Sequence, residues 1–157
     1  MNPDLVLVRR FMANGGEAVA VDSNPLAVAL GCVLEAWEPG RRELVFRYEP
    51  QQTFRQGAGV VQGGAVATML DFAMAFAGFT QLADDAVLST LTMNVVFQKA
   101  ARSARYTAHG RIEKPGRRVM FAAAEISDGE AVIATATSTL LVLPAGQALA
   151  KPGRETA

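Results

Sequence analysis

Apolar positions crowd into one stretch of this chain, Gln62 to Leu82, in which Asp71 is the only charged side chain. The stretch is rich in alanine, lacks proline and opens on Gly63-Gly64, which predicts a helix from Gln62 to about Leu82. A helix apolar almost all round is one that other elements bury, not a surface helix. A lone carboxylate in it costs several kcal/mol unless it is paired, hydrogen-bonded or protonated. Asp71 is therefore the first candidate for the working acid of an active site.

The flanking pattern is different on the two sides. Asn2-Pro3 offers an N-cap and a first-turn proline, followed by Leu5, Val8, Phe11 and Met12 at helical spacing and a stop at Gly15-Gly16. Asn24-Pro25 starts a second short helix, running to Leu30 and ending near Gly31. The period then shortens to that of strands at Cys32–Trp37 and Glu43–Tyr48, joined by the Pro-Gly turn Glu38-Pro39-Gly40-Arg41 as a hairpin. Residues 50 to 59 form a polar, glycine-containing loop. After the helix and a turn at Ala83-Asp84-Asp85, four strand-like runs follow: Ser89–Gln98, Arg105–Ile112, Arg118–Ile126 and Ala131–Leu143. The second alternates, with Tyr106, Ala108, Gly110 and Ile112 on one face and Arg105, Thr107, His109 and Arg111 on the other. The last sets Thr135, Thr137 and Thr139 against Ala134, Ala136 and Ser138.

The sum is an α+β chain: an antiparallel sheet wrapped around one long central helix, with a helical lead-in over residues 3–30. One domain over 1–143 is expected, with 144–157 as a flexible tail. The far side of the helix needs cover too, and self-association would supply it, two sheets joining edge to edge.

Composition narrows the function. At 157 residues with zero formal net charge, the chain shows nothing suited to nucleic acid or an anionic membrane surface. The central helix is short for a bilayer and carries Asp71 mid-span, so no membrane span is expected. The single cysteine, Cys32, excludes an internal disulfide and a thiolate metal cluster and fits a reducing, cytoplasmic setting. It reads as a small buried hydrophobe. His109, the only histidine, lies on a polar strand face, and no Gly-x-Ser-x-Gly motif supports a serine hydrolase.

The helix start has its own chemistry. Its first N–H groups are free and partly positive, suited to a developing oxyanion, and glycine lets a ligand approach the backbone closely. Asp71, two turns on, could act as a general base on water or attack a carbonyl carbon directly.

The order of elements, with Gln62-Gly63-Gly64 followed by Ala-Thr-Met-Leu-Asp71, resembles the hotdog-fold acyl-CoA thioesterases, in the PaaI-like branch of the 4-hydroxybenzoyl-CoA thioesterase superfamily. Leu91 to Phe97, Gly110-Arg111-Ile112 and Gly116-Arg117-Arg118 add to the likeness, which spans roughly Asn24 to Leu143. The resemblance implies hydrolysis of an acyl-CoA thioester by a homodimer or homotetramer, with no metal and no cofactor beyond the CoA of the substrate. It implies Asp71 as base or nucleophile, the Gly63 amide as carbonyl polariser, and Gln56, Gln62 and Thr90 as positioning groups, with Ser89 the alternative to Thr90. It places Gly64, Asn94, Arg117 and Arg118 among the substrate contacts; Arg102 and Arg105 are further candidates for CoA phosphates. Gln62 stands where the family usually has histidine and cannot shuttle a proton near neutral pH. That departure supports a rival expectation, a non-catalytic acyl-CoA-binding module of the same fold.

Overall fold

A computed structural model describes residues 2–83 and 86–144 of the chain. The elements are α1 (Pro3–Ala13), β1 (Val19–Ala20), α2 (Pro25–Ala29), β2 (Val33–Glu38), β3 (Glu43–Tyr48), α3 (Gly63–Phe79), β4 (Ala86–Phe97), β5 (Tyr106–Lys114), β6 (Val119–Ser127) and β7 (Val132–Pro144). All seven strands join one sheet in the order β1-β2-β3-β5-β6-β7-β4. Every pairing is antiparallel. The sheet curls around α3, as the hydrophobic pattern requires.

Both lead-in helices start where their caps predict. Asn2 Oδ1 accepts from the Asp4 amide at 2.9 Å and Asn24 Oδ1 from the Leu26 amide at 3.0 Å, each with a proline next in the chain. The two-residue strand β1 between them escaped the sequence reading, because two residues carry no periodicity. The central helix closes at Phe79, short of the expected Leu82. There the amides of Thr80, Gln81 and Leu82 turn back to the carbonyls of Ala77, Gly78 and Phe79. Such i to i−3 bonds tighten a last turn and use up its orphan carbonyls. Asp84, Asp85 and the tail beyond Pro144 lie outside the described residues.

The alternation seen in the sequence sets the core. Tyr106, Ala108, Gly110 and Ile112 of β5, and Ala134, Ala136, Ser138 and Leu140 of β7, are buried toward the helix. They meet Met69, Leu70, Ala73, Met74, Phe76 and Ala77 of α3. Phe76 makes edge contacts with Phe46 at 6.0 Å and Phe79 at 5.4 Å between ring centroids. One side of α3 is covered by α1, whose Leu5, Leu7, Val8 and Phe11 are buried. Arg9 of α1 donates to the Leu82 carbonyl just past the end of α3, where a cation complements the helix dipole. The chain thus supplies part of the cover that the sequence reading assigned to self-association.

The expected run of strands after α3 is a meander only from β5 to β7. β4 crosses to the far edge of the sheet and pairs with β7, Thr90 opposite Leu140 and Phe97 opposite Ala134. The two edges are unlike: β1 has two residues, whereas β4 has twelve and exposes Leu91, Val96 and Phe97.

Helix and sheet backbones approach closely at Gly110. A Cβ there would lie 2.1 Å from the Ala73 carbonyl oxygen and 2.9 Å from the Ala73 Cβ. Gly110→Ala must push two backbones apart, at about 1–3 kcal/mol. The expected result is a lower urea midpoint with an unchanged slope; wild-type stability would contradict the packing.

Cys32 is buried beside Tyr48, and burial pushes its thiol up to about 12. An unfolded thiol ionises at about 8.5, so above that pH the unfolded chain releases a proton that the folded chain keeps. Stability from this group is present below about 8.5 and falls by about 1.4 kcal/mol per pH unit as pH rises toward the folded value. Cys32→Ala is expected to flatten the stability curve between about pH 9 and 11 in urea unfolding relative to wild type. Parallel curves would count against this burial.

Candidate active site

The helix start is presented by a pinned loop. The Gln56 amide donates to the Val60 carbonyl at 2.9 Å and the Gly59 amide to the Gln56 carbonyl at 2.8 Å, with Gly59 at φ +74°. The Arg55 guanidinium ties this turn to the segment before β5, donating to the carbonyls of Gly59 at 2.8 Å and Ser103 at 2.6 Å. The amides of Val61 and Gln62 donate to the carbonyls of Ala101 and Phe54, each at 2.8 Å. Gln62 is the N-cap of α3 but forms no side-chain cap. Its carbonyl receives the Ala65 and Val66 amides, and those of Gly63 and Gly64 have no protein acceptor among the described residues. Both glycines are exposed, and open space lies where a Gly64 side chain would stand. Gln56, also exposed, shares with Gly63 and Phe97 the lining of a cleft of about 370 Å³.

Asp71 lies further along the same helix, half-buried, and Thr90 Oγ1 donates to its Oδ1 at 2.9 Å. Of the two expected hydroxyls it is thus Thr90 that meets Asp71; Ser89 is next to it on a strand and faces the other way. Beneath Asp71, the buried Tyr48 hydroxyl donates to the Met69 carbonyl at 3.0 Å, fixing the helix to the sheet beside the carboxylate. Burial pushes the Tyr48 phenol well above its ordinary value, helped by Cys32 and the charge of Asp71, so the hydroxyl keeps its proton. Neither Tyr48 nor Arg55 was singled out from sequence. Each acts through a backbone carbonyl, and such a partner leaves no mark on residue spacing.

Other expected site residues lie elsewhere. A bulge between Thr90 and Thr92 shifts the register of β4 against β7. Without it, Thr90 and Asn94 would share a face; with it, Asn94 sits on the outer face with Arg111 and Thr137. Arg117 and Arg118 are exposed on the turn between β5 and β6. Arg117 lines a cleft with Gln81 and Leu82, at the opposite end of α3 from Gly63. Arg105 pairs with Glu49 at 3.1 Å. Arg102 reaches the Ala58 carbonyl at 3.4 Å, at the base of the Gln56 turn. His109 is on the outer sheet face, 3.1 Å from the buried Glu43. Among the described residues no three His, Cys, Asp or Glu side chains gather as a metal site, and no helix is long and apolar enough to cross a membrane.

The same fold occurs in known proteins. The thioesterase superfamily profile matches residues 58–134, from the Gln56 turn into β7. The medium/long-chain acyl-CoA thioesterase YigI of Escherichia coli K12 is 26% identical over 132 residues, covering 75% of this chain and 85% of that protein. Among solved structures, a phenylacetic acid degradation-related protein from Ralstonia eutropha JMP134 superposes with a TM-score of 0.74 at 31% identity, over 84% of this chain and 97% of that one. A thioesterase family protein from Silicibacter pomeroyi gives 0.72 at 28% identity, over 87% and 96%. With its antiparallel sheet wrapped around α3, the chain belongs to the thioesterase superfamily and is a thioester hydrolase of the hotdog fold.

Proposed function

We propose that the protein hydrolyses acyl-CoA thioesters, with Asp71 as the working carboxylate and the amide at the start of α3 as carbonyl polariser. The observation that carries this reading is the Thr90 hydroxyl on Asp71 Oδ1, which orients the carboxylate and leaves its second oxygen free. The likeness to YigI supports the acyl-CoA substrate. Water adds to the thioester carbonyl, the C–S bond breaks, and the thiol leaves with the proton that water gives up. Asp71 serves as base toward that water, or as the first nucleophile, with water then cleaving the anhydride. In both routes negative charge develops on the carbonyl oxygen, where Gly63 N–H and the positive helix end stabilise it. CoA enters only as part of the substrate.

One protomer does not complete this site. Gly63 and Asp71 are eight residues apart on one helix, about 12 Å along its axis, and the Gly63 amide points off the helix end. Contacts of about 3 Å from donor to oxyanion, from water to carbonyl carbon and from base to water, with the carbonyl bond between them, span about 10 Å at most. The amide and the carboxylate that serve one thioester therefore come from two copies of the chain. The open β4 edge, with Leu91 and Val96 exposed, is the surface through which two sheets would join. The small or short side of α3, at Gly64, Ala67, Thr68 and Ala75, is the side left for a neighbouring helix. Gln56 and Gln62, at the helix start, would hold the carbonyl end of the substrate.

Asp71→Asn is expected to lower kcat for thiol release by about 10²–10⁴-fold with the fold intact. Equal turnover in both proteins would remove Asp71 from the mechanism. Gly63→Pro deletes the amide hydrogen at the first helical position, where proline is tolerated once the Phe97 ring, 3.3 Å from the added Cβ, gives way by a few tenths of an ångström. Assembling that variant together with Asp71→Asn is expected to recover about a quarter of wild-type sites, since about half the dimers are mixed and carry one intact site of two. No recovery, with mixed dimers demonstrated, would place the whole site in one chain.

A further inference from the structure

The most exposed aromatic ring of the structure stands beside the free helix amides. Phe97, the last residue of β4, is 53% exposed. Its ring carbons would lie 3.3 and 3.4 Å from a Cβ built on Gly63. The ring leans over the first residue of α3, on the cleft that Gly63 shares with Gln56. The cleft is floored by Val61, Val66 and Ile133, all buried, with Val60 half-buried beside them. Its polar side chains, Gln56, Gln98 and Lys99, are exposed and so mark its mouth.

Beyond the Gly63 amide, several backbone groups around this floor are already paired. The Ile133 carbonyl receives the amides of Gln98 at 2.8 Å and Lys99 at 3.2 Å. The Val61 amide donates to the Ala101 carbonyl, and the Val60 carbonyl receives the Gln56 amide. A thioester whose carbonyl rests on the Gly63 amide sends one arm toward sulfur and pantetheine and the other into its acyl chain. The pantetheine arm carries amides, which lose their water partners on burial and would find no replacements on such a floor. A hydrocarbon chain requires none.

We infer that this cleft takes the acyl chain and that the Phe97 ring sets the chain length it accepts. The inference rests on the thioesterase reading and adds to it a specificity-determining residue. With the ring in place, carbons beyond its edge stay in water. With the ring removed, they run on along the apolar floor.

The test uses S-alkyl-CoA thioethers, ethyl to dodecyl, titrated calorimetrically into wild type, Phe97→Leu and Phe97→Ala. Each methylene buried in the cleft raises affinity roughly fourfold, and in wild type that gain stops at a limiting length. The expected result is a longer limit in Phe97→Ala, with Phe97→Leu between, and little change for the ethyl compound. The same limit in all three folded proteins would overturn the inference. An equal loss at every chain length, CoA itself included, would also overturn it, since the ring would then be touching pantetheine. Thioethers are not hydrolysed, so the two readings fail separately. A wild type that shows the length limit but releases no thiol from the matching thioesters would overturn the hydrolase reading and leave the Phe97 result standing.

Discussion

The contact of α3 with β5 at Gly110 is the constraint around which the other packing is arranged. Glycine on the strand and Ala73 on the helix let two backbones meet where almost any side chain would hold them apart. Once the helix lies that deep, the strands on either side must curl to cover its flanks, and the remaining core is filled by Phe46, Phe76, Met69 and Met74. Tyr48 adds a directional element to this apolar contact. Its hydroxyl bond to the Met69 carbonyl fixes the helix about its own axis, so that Asp71 meets Thr90.

This depth also explains what the helix leaves uncovered. With β5, β6 and β7 beneath it and α1 on one flank, its remaining surface is a stripe of small residues with Asp71 in the middle. The adjoining sheet edge is β4, long and unpaired on its outer side. The Asp71 carboxylate and an open strand edge lie on the same flank, so the surface proposed to carry the chemistry is also the one that a second copy would cover. Burial of that surface would strengthen every electrostatic contact of the carboxylate by excluding water.

The helix start solves a different problem. Its free amides are useful only if the loop before them stays in place, and that loop is polar and glycine-rich. Arg55 supplies the stiffness by bonding carbonyls on both sides of the turn. Phe97 then closes the space above Gly63, which is possible because residue 63 lacks a side chain. Rigid amides, an apolar cleft and an aromatic wall meet within a few residues of one another.

Much of this was legible in the chain itself. The long apolar run with one carboxylate, the glycine pair ahead of it, the capped lead-in helices and the alternation of β5 and β7 are local signals, governed by the 3.6 and 2.0 residue periods. They marked out the helix and the core faces, and put Asp71 and Gly63 forward as site candidates. Tertiary structure alone decided the rest. β4 is the first of the four strand-like runs after the helix yet pairs with the last of them, because periodicity says nothing about which neighbour a strand chooses. Asn94 was expected among the substrate contacts, but the bulge between Thr90 and Thr92 reverses the facing of every later residue in the strand and sets it on the outer face. Arg55, Tyr48 and Arg9 act on backbone carbonyls, which every residue possesses and no sequence pattern marks. Side-chain chemistry and period are written in the order of residues; register, edge position and long-range backbone bonding arise only when the sheet closes around its helix.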